Sequence, residues 1–240
     1  SAVLVTVTLM YRTEGMKLCL SQIRMYKRML QSILKIGLPA GFEAIMYSIS
    51  NIIVQVSINN FGVDTMAAWT AYSKIDFIFW MINSAFGISV MTFVGQNYGA
   101  GKWDRIRRGT KICLGMALIS AVFVSIILMS AERFLFGIFV NDAGVVEIGI
   151  RMMNVIAPAY LLFAFIEVFS GALRAQGAVV VSTLITMVGI CVLRMIWVTL
   201  VAAHGTLEQV IICYPITWAA GALAMSIYYI YKQRKIFQAR

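Results

Sequence analysis

No charged residue occurs between Ile112 and Met129. A helix of that length covers about 27 Å, close to the ~30 Å hydrocarbon core of a bilayer. Five other long runs are similarly apolar: Ile36–Phe61, Thr65–Tyr98, Ile148–Leu173, Val179–Ala203 and Val210–Tyr231. The composition agrees, with 61% hydrophobic residues, only 12% charged and a mean hydropathy of +0.85. That is far from an average soluble domain. The expected fold class is all-α: a polytopic membrane protein whose lobe has six transmembrane helices, with the tail of a preceding helix before it.

Charge placement orients the lobe. Of the 20 Lys and Arg, all but Lys74, Arg133, Arg151 and Arg194 fall in residues 11–35, in 102–111, at Arg174 or in 232–240. By the positive-inside rule these segments are cytoplasmic, and both ends of the lobe face inward. The intervening turns, with Glu132, Asp142, Glu147 and Glu208, face outward. A net charge of +10 distributed this way points to anionic lipid headgroups and away from nucleic acid. Residues 1–12 read as the end of a preceding transmembrane helix, because Ser1–Met10 is apolar but spans about half a bilayer. Residues 13–35 read as a basic amphipathic cytoplasmic linker, 36–231 as the lobe and 232–240 as a basic cytoplasmic tail. The expected location is the plasma (inner) membrane. Cys19, Cys113, Cys191 and Cys213 form no CxxC pair, and His204 is the only histidine. No metal site, cofactor or disulfide framework is expected.

Ionisable residues inside spans are costly and turn inward. Those singled out are Glu43, Lys74, Asp76, Glu167 and Arg194. Glu43, Tyr47, Ser50, Asn51 and Gln55 recur at spacings of three and four, so they share one helical face. That face serves function or, in the plainer reading, helix–helix hydrogen bonding. Asp76, Trp80, Asn83 and Gly87 form a second stripe. Glu167 shares a face with Tyr160, Phe163, Ser170 and Arg174, and a bridge to Arg174 is its structural alternative. Arg194 needs an acid, for which Asp76 is the expected partner, and its role is structural or gating. Lys74 pairs between helices or snorkels to the outer interface. Tyr47, Trp80 and Phe163 could offer cation–π contacts or simply pack. No nucleophile lies beside a base, no span contains a histidine and no acids are closely paired, so an enzyme is not expected.

Three segments also resemble a known family. VGQNYGAGKWDRIRRG from Val94 is similar to the loop after the second helix of a lobe in the MATE (multidrug and toxic compound extrusion) transporters. GLPAGFEAIMYSISNIIVQ at Gly37–Gln55 resembles the opening helix of a lobe, and SGALRAQG at Ser170–Gly177 the loop after the fourth. The resemblance covers nearly the whole chain and implies the C-terminal one of two six-helix lobes, with the N-terminal lobe as the missing partner. It implies alternating-access export of organic cations or drug-like compounds against H⁺ or Na⁺. It further implies cation coupling at Glu43 and Glu167; Asp76, at the head of its own stripe, is counted as a third acid from the residues themselves. Tyr47, Asn51, Gln55, Trp80, Asn83 and Phe163 would contact substrate, and Arg194, Lys74 and Arg174 would be structural or gating. The family's own acids fall about one turn deeper, where this chain has Tyr47 and Phe163. The alternative function is a flippase of a lipid-linked saccharide or similar amphiphile, which would want a larger and more basic cavity.

Overall fold

A computed structural model describes residues 2–11, 24–201 and 205–238. Every described element is helical. The chain divides into two compact units, Ser1–Leu38 and Pro39–Arg240. Helix α1, Ala2–Tyr11, belongs to the first. Among the described residues, six helices are long and apolar enough to cross a membrane: Lys27–Asn59, Val63–Gly99, Trp103–Ser130, Ala143–Ala175, Val179–Val201 and Leu207–Ile236. The first three are α2, α3 and α4, and a short α5, Glu132–Gly137, follows them. The fourth crossing joins α6, Ala143–Ile156, to α7, Tyr160–Ala175, through a tight turn at Ala157–Ala159. That turn holds Pro158, which cannot continue an α-helical ladder.

The ends of these helices have local causes. Asp142 accepts hydrogen bonds from the amides of Gly144 (2.7 Å) and Val145 (3.1 Å), capping α6. Thr206 and Gln209 form a reciprocal capping box at the start of α10, Leu207–Ile211. Ile212 separates α10 from α11, Cys213–Gln238. Between α3 and α4 the chain turns through Gly101 at φ 67°, a conformation that disfavours a Cβ.

The helices extend beyond the expected spans. Between Trp103 and Lys111 only Gly109 disfavours a helix, and the helix tolerates it, so the basic segment forms the first turns of α4 instead of a loop. Pro39 lies inside α2, well past its first turn. Arg151, which the list of intramembrane charges omitted, falls inside the fourth crossing and pairs with Glu208 at 3.4 Å. Residues 13–23 of the expected linker lie outside the described residues, as do Cys19 and His204, while 27–35 form the first turns of α2.

The fourth crossing is the centre of the lobe: 67% of its most apolar stretch is buried, against 17–50% for the others. Exposed Ile112, Ile119, Phe123 and Ile126 of α4 supply an apolar outer face, while Ala117, Ala121, Val124 and Leu128 turn inward. The closest approach that matters for the site is between α3 and α7. A Cβ on Gly171 would lie 2.8 Å from the Gly87 carbonyl oxygen and 2.8 Å from Val90 Cγ1. Small residues thus let the two backbones meet. Glu167, one turn before Gly171, then lies across Gly87, where an added Cβ would strike its carboxylate.

Candidate functional site

A cavity of 640 Å³ opens among α2, α3, α7 and α11. It gathers residues that the sequence placed on three separate stripes. Tyr47, Asn51 and Gln55 come from α2; Asp76, Trp80 and Asn83 from α3; Phe163 and Glu167 from α7. Trp69, Tyr72, Tyr214 and Trp218 also line it. The aromatic side chains meet edge to face: Trp80 on Phe163 at 4.6 Å, Phe163 on Trp218 at 5.3 Å, and Tyr214 on Trp218 at 5.5 Å between centroids. Aromatic pairs favour this geometry, and it leaves ring faces available to a cation. Sequence reasoning missed Tyr214 and Trp218. Their spacing of four on an otherwise apolar helix was the available signal.

The acids in this region occupy three different settings. Asp76 accepts hydrogen bonds from the Tyr160 hydroxyl and the Trp80 indole N–H. Tyr72 O–H lies 3.2 Å from Tyr160 O–H, and Phe79 stacks on Tyr160 at 3.8 Å. Asp76 is therefore held by neutral donors, and the expected pair with Arg194 is not formed. Glu43 instead has a cationic partner. Arg174 Nη2 donates to both its oxygens, at 2.8 and 2.9 Å, and Thr183 Oγ1 donates to Oε2 at 2.9 Å. The alternative offered for Glu167, a bridge to Arg174, is not formed, because Arg174 pairs with Glu43 beside the turn between α7 and α8, Val179–Thr186. Glu167 accepts no hydrogen bond and makes no ion pair among the described residues. Its charged neighbours are Arg174 and Glu43. Its carboxylate faces the cavity with its acceptor capacity unspent.

Arg194 is fully buried behind the cavity wall. Its Nη1 donates to Asn51 Oδ1 at 3.0 Å. Its guanidinium carbon lies 4.3 Å from the Tyr214 ring centroid and 5.7 Å from that of Tyr47. Ring faces and an amide take the place of the expected acid. Arg194 sits in a four-residue α-helical stretch, Leu193–Ile196, between wide π-type turns at Met187–Val192 and Trp197–Val201. Such turns concentrate at functional positions. Lys74 is exposed on the side of α3 away from Asp76, and its Nζ lies 5.5 Å from the Phe139 ring. It borders a shallower depression with Gln55, Trp69 and Phe77, next to the main cavity. This position fits snorkelling and not an ion pair. No group of three or more His, Cys, Asp or Glu suited to a metal occurs among the described residues.

The MatE family model matches residues 39–200, which include nearly all of this cavity. The chain belongs to the MATE family. It is 26% identical over 220 residues to "Probable multidrug resistance protein YoeA" of Bacillus subtilis (strain 168), covering 89% of this chain and 47% of that protein. It is 22% identical over 158 residues to "Multidrug and toxin extrusion protein 1" of Homo sapiens, covering 63% of this chain and 28% of that protein. Among solved structures, it resembles MATE in complex with MaL6 with a TM-score of 0.88 at 14% identity, covering 99% of this chain and 54% of that one. An outward-facing multidrug resistance MATE transporter of the MOP superfamily gives a TM-score of 0.86 at 16% identity, covering 99% and 54%. The chain spans about half the length of the Bacillus subtilis relative and of both solved structures, as one lobe of a MATE transporter would. Members of the MATE family are transporters, not enzymes.

Proposed function

We propose that this chain is the C-terminal lobe of a multidrug exporter that exchanges organic amines or other drug-like compounds for H⁺ or Na⁺. A first lobe would close the cavity from the opposite side and allow alternating access. The carrying observation is Glu167: a carboxylate without a hydrogen-bond or ion-pair partner among the described residues, on the wall of a 640 Å³ cavity that also presents Trp80 and Phe163. A cationic substrate and a coupling cation would compete for that charge. Binding of one therefore lowers affinity for the other, which is the thermodynamic requirement of exchange. Glu43 and Arg174 form the charged pair nearest to Glu167, so a change of charge at Glu167 reaches them electrostatically. Asp76, already holding two hydrogen bonds, orients Trp80 and serves as a reserve acid. By the positive-inside rule both ends of the lobe would face the cytoplasm at the inner membrane, with the basic segments against anionic lipid. The flippase alternative has less support, because Lys74 is at the rim, Arg194 is sealed behind the wall and the open charge in the cavity is acidic.

The test is ethidium efflux from cells expressing the transporter that contains this lobe. Glu167→Gln is expected to abolish pH- and Na⁺-driven efflux while the protein still reaches the membrane, and Glu167→Asp to retain part of it. Undiminished efflux by well-expressed Glu167→Gln would end this assignment, and Glu43 and Asp76 would then be tested in turn.

A further inference from the structure

Helix α4 has two sides, and the lobe packs only one of them. Ile106, Thr110, Ala117, Ala121, Val124 and Leu128 are buried. At 100° per residue, Arg108, Ile112, Gly115, Ile119, Val122 and Ile126 run down the opposite side. The main cavity takes its walls from other helices, so this outer side of α4 is not part of it. The outer side is basic at its N-terminal end and apolar beyond. Arg105, Arg108 and Lys111 are exposed and make no hydrogen bond or ion pair among the described residues. Asp104 is the one acid in that segment, which stays net positive. One turn past Lys111, Gly115 leaves a notch: nothing lies within 4 Å of the place a Cβ would take. Further along the same side, Leu118, Ile119, Val122, Phe123 and Ile126 form an apolar groove of 360 Å³. Leu118 to Val122 lie about 9–15 Å along the helix from Ile112, within the ~15 Å of hydrocarbon in one leaflet.

We propose that the outer side of α4 binds one anionic phospholipid selectively. Arg108 and Lys111 hold its phosphate, Arg105 adds charge, and one acyl chain passes Gly115 into the groove. The order of features along the helix matches such a lipid: cations first, then a gap in the side chains, then an apolar channel at chain depth. A guanidinium also presents the forked donors that suit phosphate oxygens. The charges argue against the other occupants of an apolar groove. A second copy in the same membrane orientation would bring two basic clusters to the same height, where they repel. A zwitterionic lipid would add an ammonium to a cluster that is already positive. The site is more than the attraction of basic segments to a negative surface, because it requires the notch and the groove of one helix. It does not rest on the exporter reading.

Native mass spectrometry of the purified, delipidated full-length transporter counts bound lipid directly. It is titrated with palmitoyl-oleoyl phosphatidylglycerol and with the matching phosphatidylcholine. The tightest phosphatidylglycerol is expected to bind about tenfold more strongly than phosphatidylcholine. Arg108→Gln combined with Lys111→Gln should remove that preference. Gly115→Leu keeps every charge, fills the notch and should weaken phosphatidylglycerol binding severalfold. Arg234→Gln combined with Lys235→Gln removes the same charge from the exposed end of α11 and should change little. Glycerol phosphate, which has the phosphate without chains, should not displace the lipid at equal concentration. The replaced cations are exposed and Gly115 has open space beside it, so these variants should fold, as unchanged melting temperatures would verify. Equal losses in the two double variants would reduce the site to general surface attraction and overturn the proposal. Undiminished binding by Arg108→Gln with Lys111→Gln, or by Gly115→Leu, would overturn it as well. So would displacement by glycerol phosphate, which would leave a phosphate site only, or dimers in place of lipid adducts, which would assign the groove to a second copy.

Discussion

The Glu43–Arg174 pair allows a quantitative test of how this lobe is held together next to its cavity. Arg174→Met keeps an unbranched apolar stem and removes the charged guanidinium. A pair fully removed from water loses about 3–5 kcal/mol when one partner is deleted. An exposed pair contributes about 0.2–1 kcal/mol. Here the side chains are 13% (Glu43) and 30% (Arg174) exposed, which favours the upper range. The geometry tempers it, because Nη2 alone serves both carboxylate oxygens and Arg174 Nε has no acceptor. Thr183 also remains to hold Glu43 after the substitution. An intermediate loss of about 2–3 kcal/mol follows. For a domain of this size that is a fall in melting temperature of about 5–10 °C. The assay is thermal unfolding of the detergent-solubilised full-length transporter, with the parent, Arg174→Met, Glu43→Gln and the double variant measured together. Each single variant leaves one charge behind and should melt lower. The double variant leaves none and should recover at least half of the loss. A melting temperature for Arg174→Met within 1 °C or so of the parent would refute the reasoning. So would a double variant no more stable than either single one.

Three further outcomes are expected. Gly171→Ala places a methyl group against the Gly87 carbonyl and Val90; overpacking there should destabilise the protein by about 1–3 kcal/mol and weaken substrate binding by moving Glu167, as thermal unfolding and a binding titration would show. Tyr160→Phe deletes a donor to Asp76 that Trp80 alone cannot replace; a loss of about 1–3 kcal/mol in thermal stability is expected, and an unchanged melt would show that Asp76 finds another donor. For orientation, a cysteine introduced at Asp142 should react with an impermeant maleimide added to intact cells and one at Lys102 should not; the reverse pattern would invert the topology.

How much of this was legible beforehand depended on how local each determinant is. Hydrocarbon thickness and side-chain hydropathy act along one helix at a time, so the existence and approximate limits of six crossings could be read from composition and spacing alone. The helical faces were local too. Tyr47 with Asn51, and Trp80 with Asp76, are four residues apart, so each pair had to share a side of its helix. The ends were less legible, since apolarity stops where the bilayer stops while a helix continues until something breaks it. Trp103–Lys111 contains no proline and only one glycine, Gly109, and α4 includes it.

Only the tertiary structure decided which charges meet. Partner choice depends on the relative depth and rotation of helices distant in sequence, and the close Gly87–Gly171 contact fixes both for α3 and α7. A rotation of one residue on a helix is 100°, enough to move a side chain from one neighbour to another. Asp76 therefore meets Tyr160, Arg174 meets Glu43, and Arg194 meets an amide and two rings, where charge matching alone had suggested Asp76 with Arg194 and Glu167 with Arg174. The unpartnered carboxylate of Glu167 is a consequence of those choices. It could not be read from the sequence, because a missing partner is a property of every surrounding helix at once.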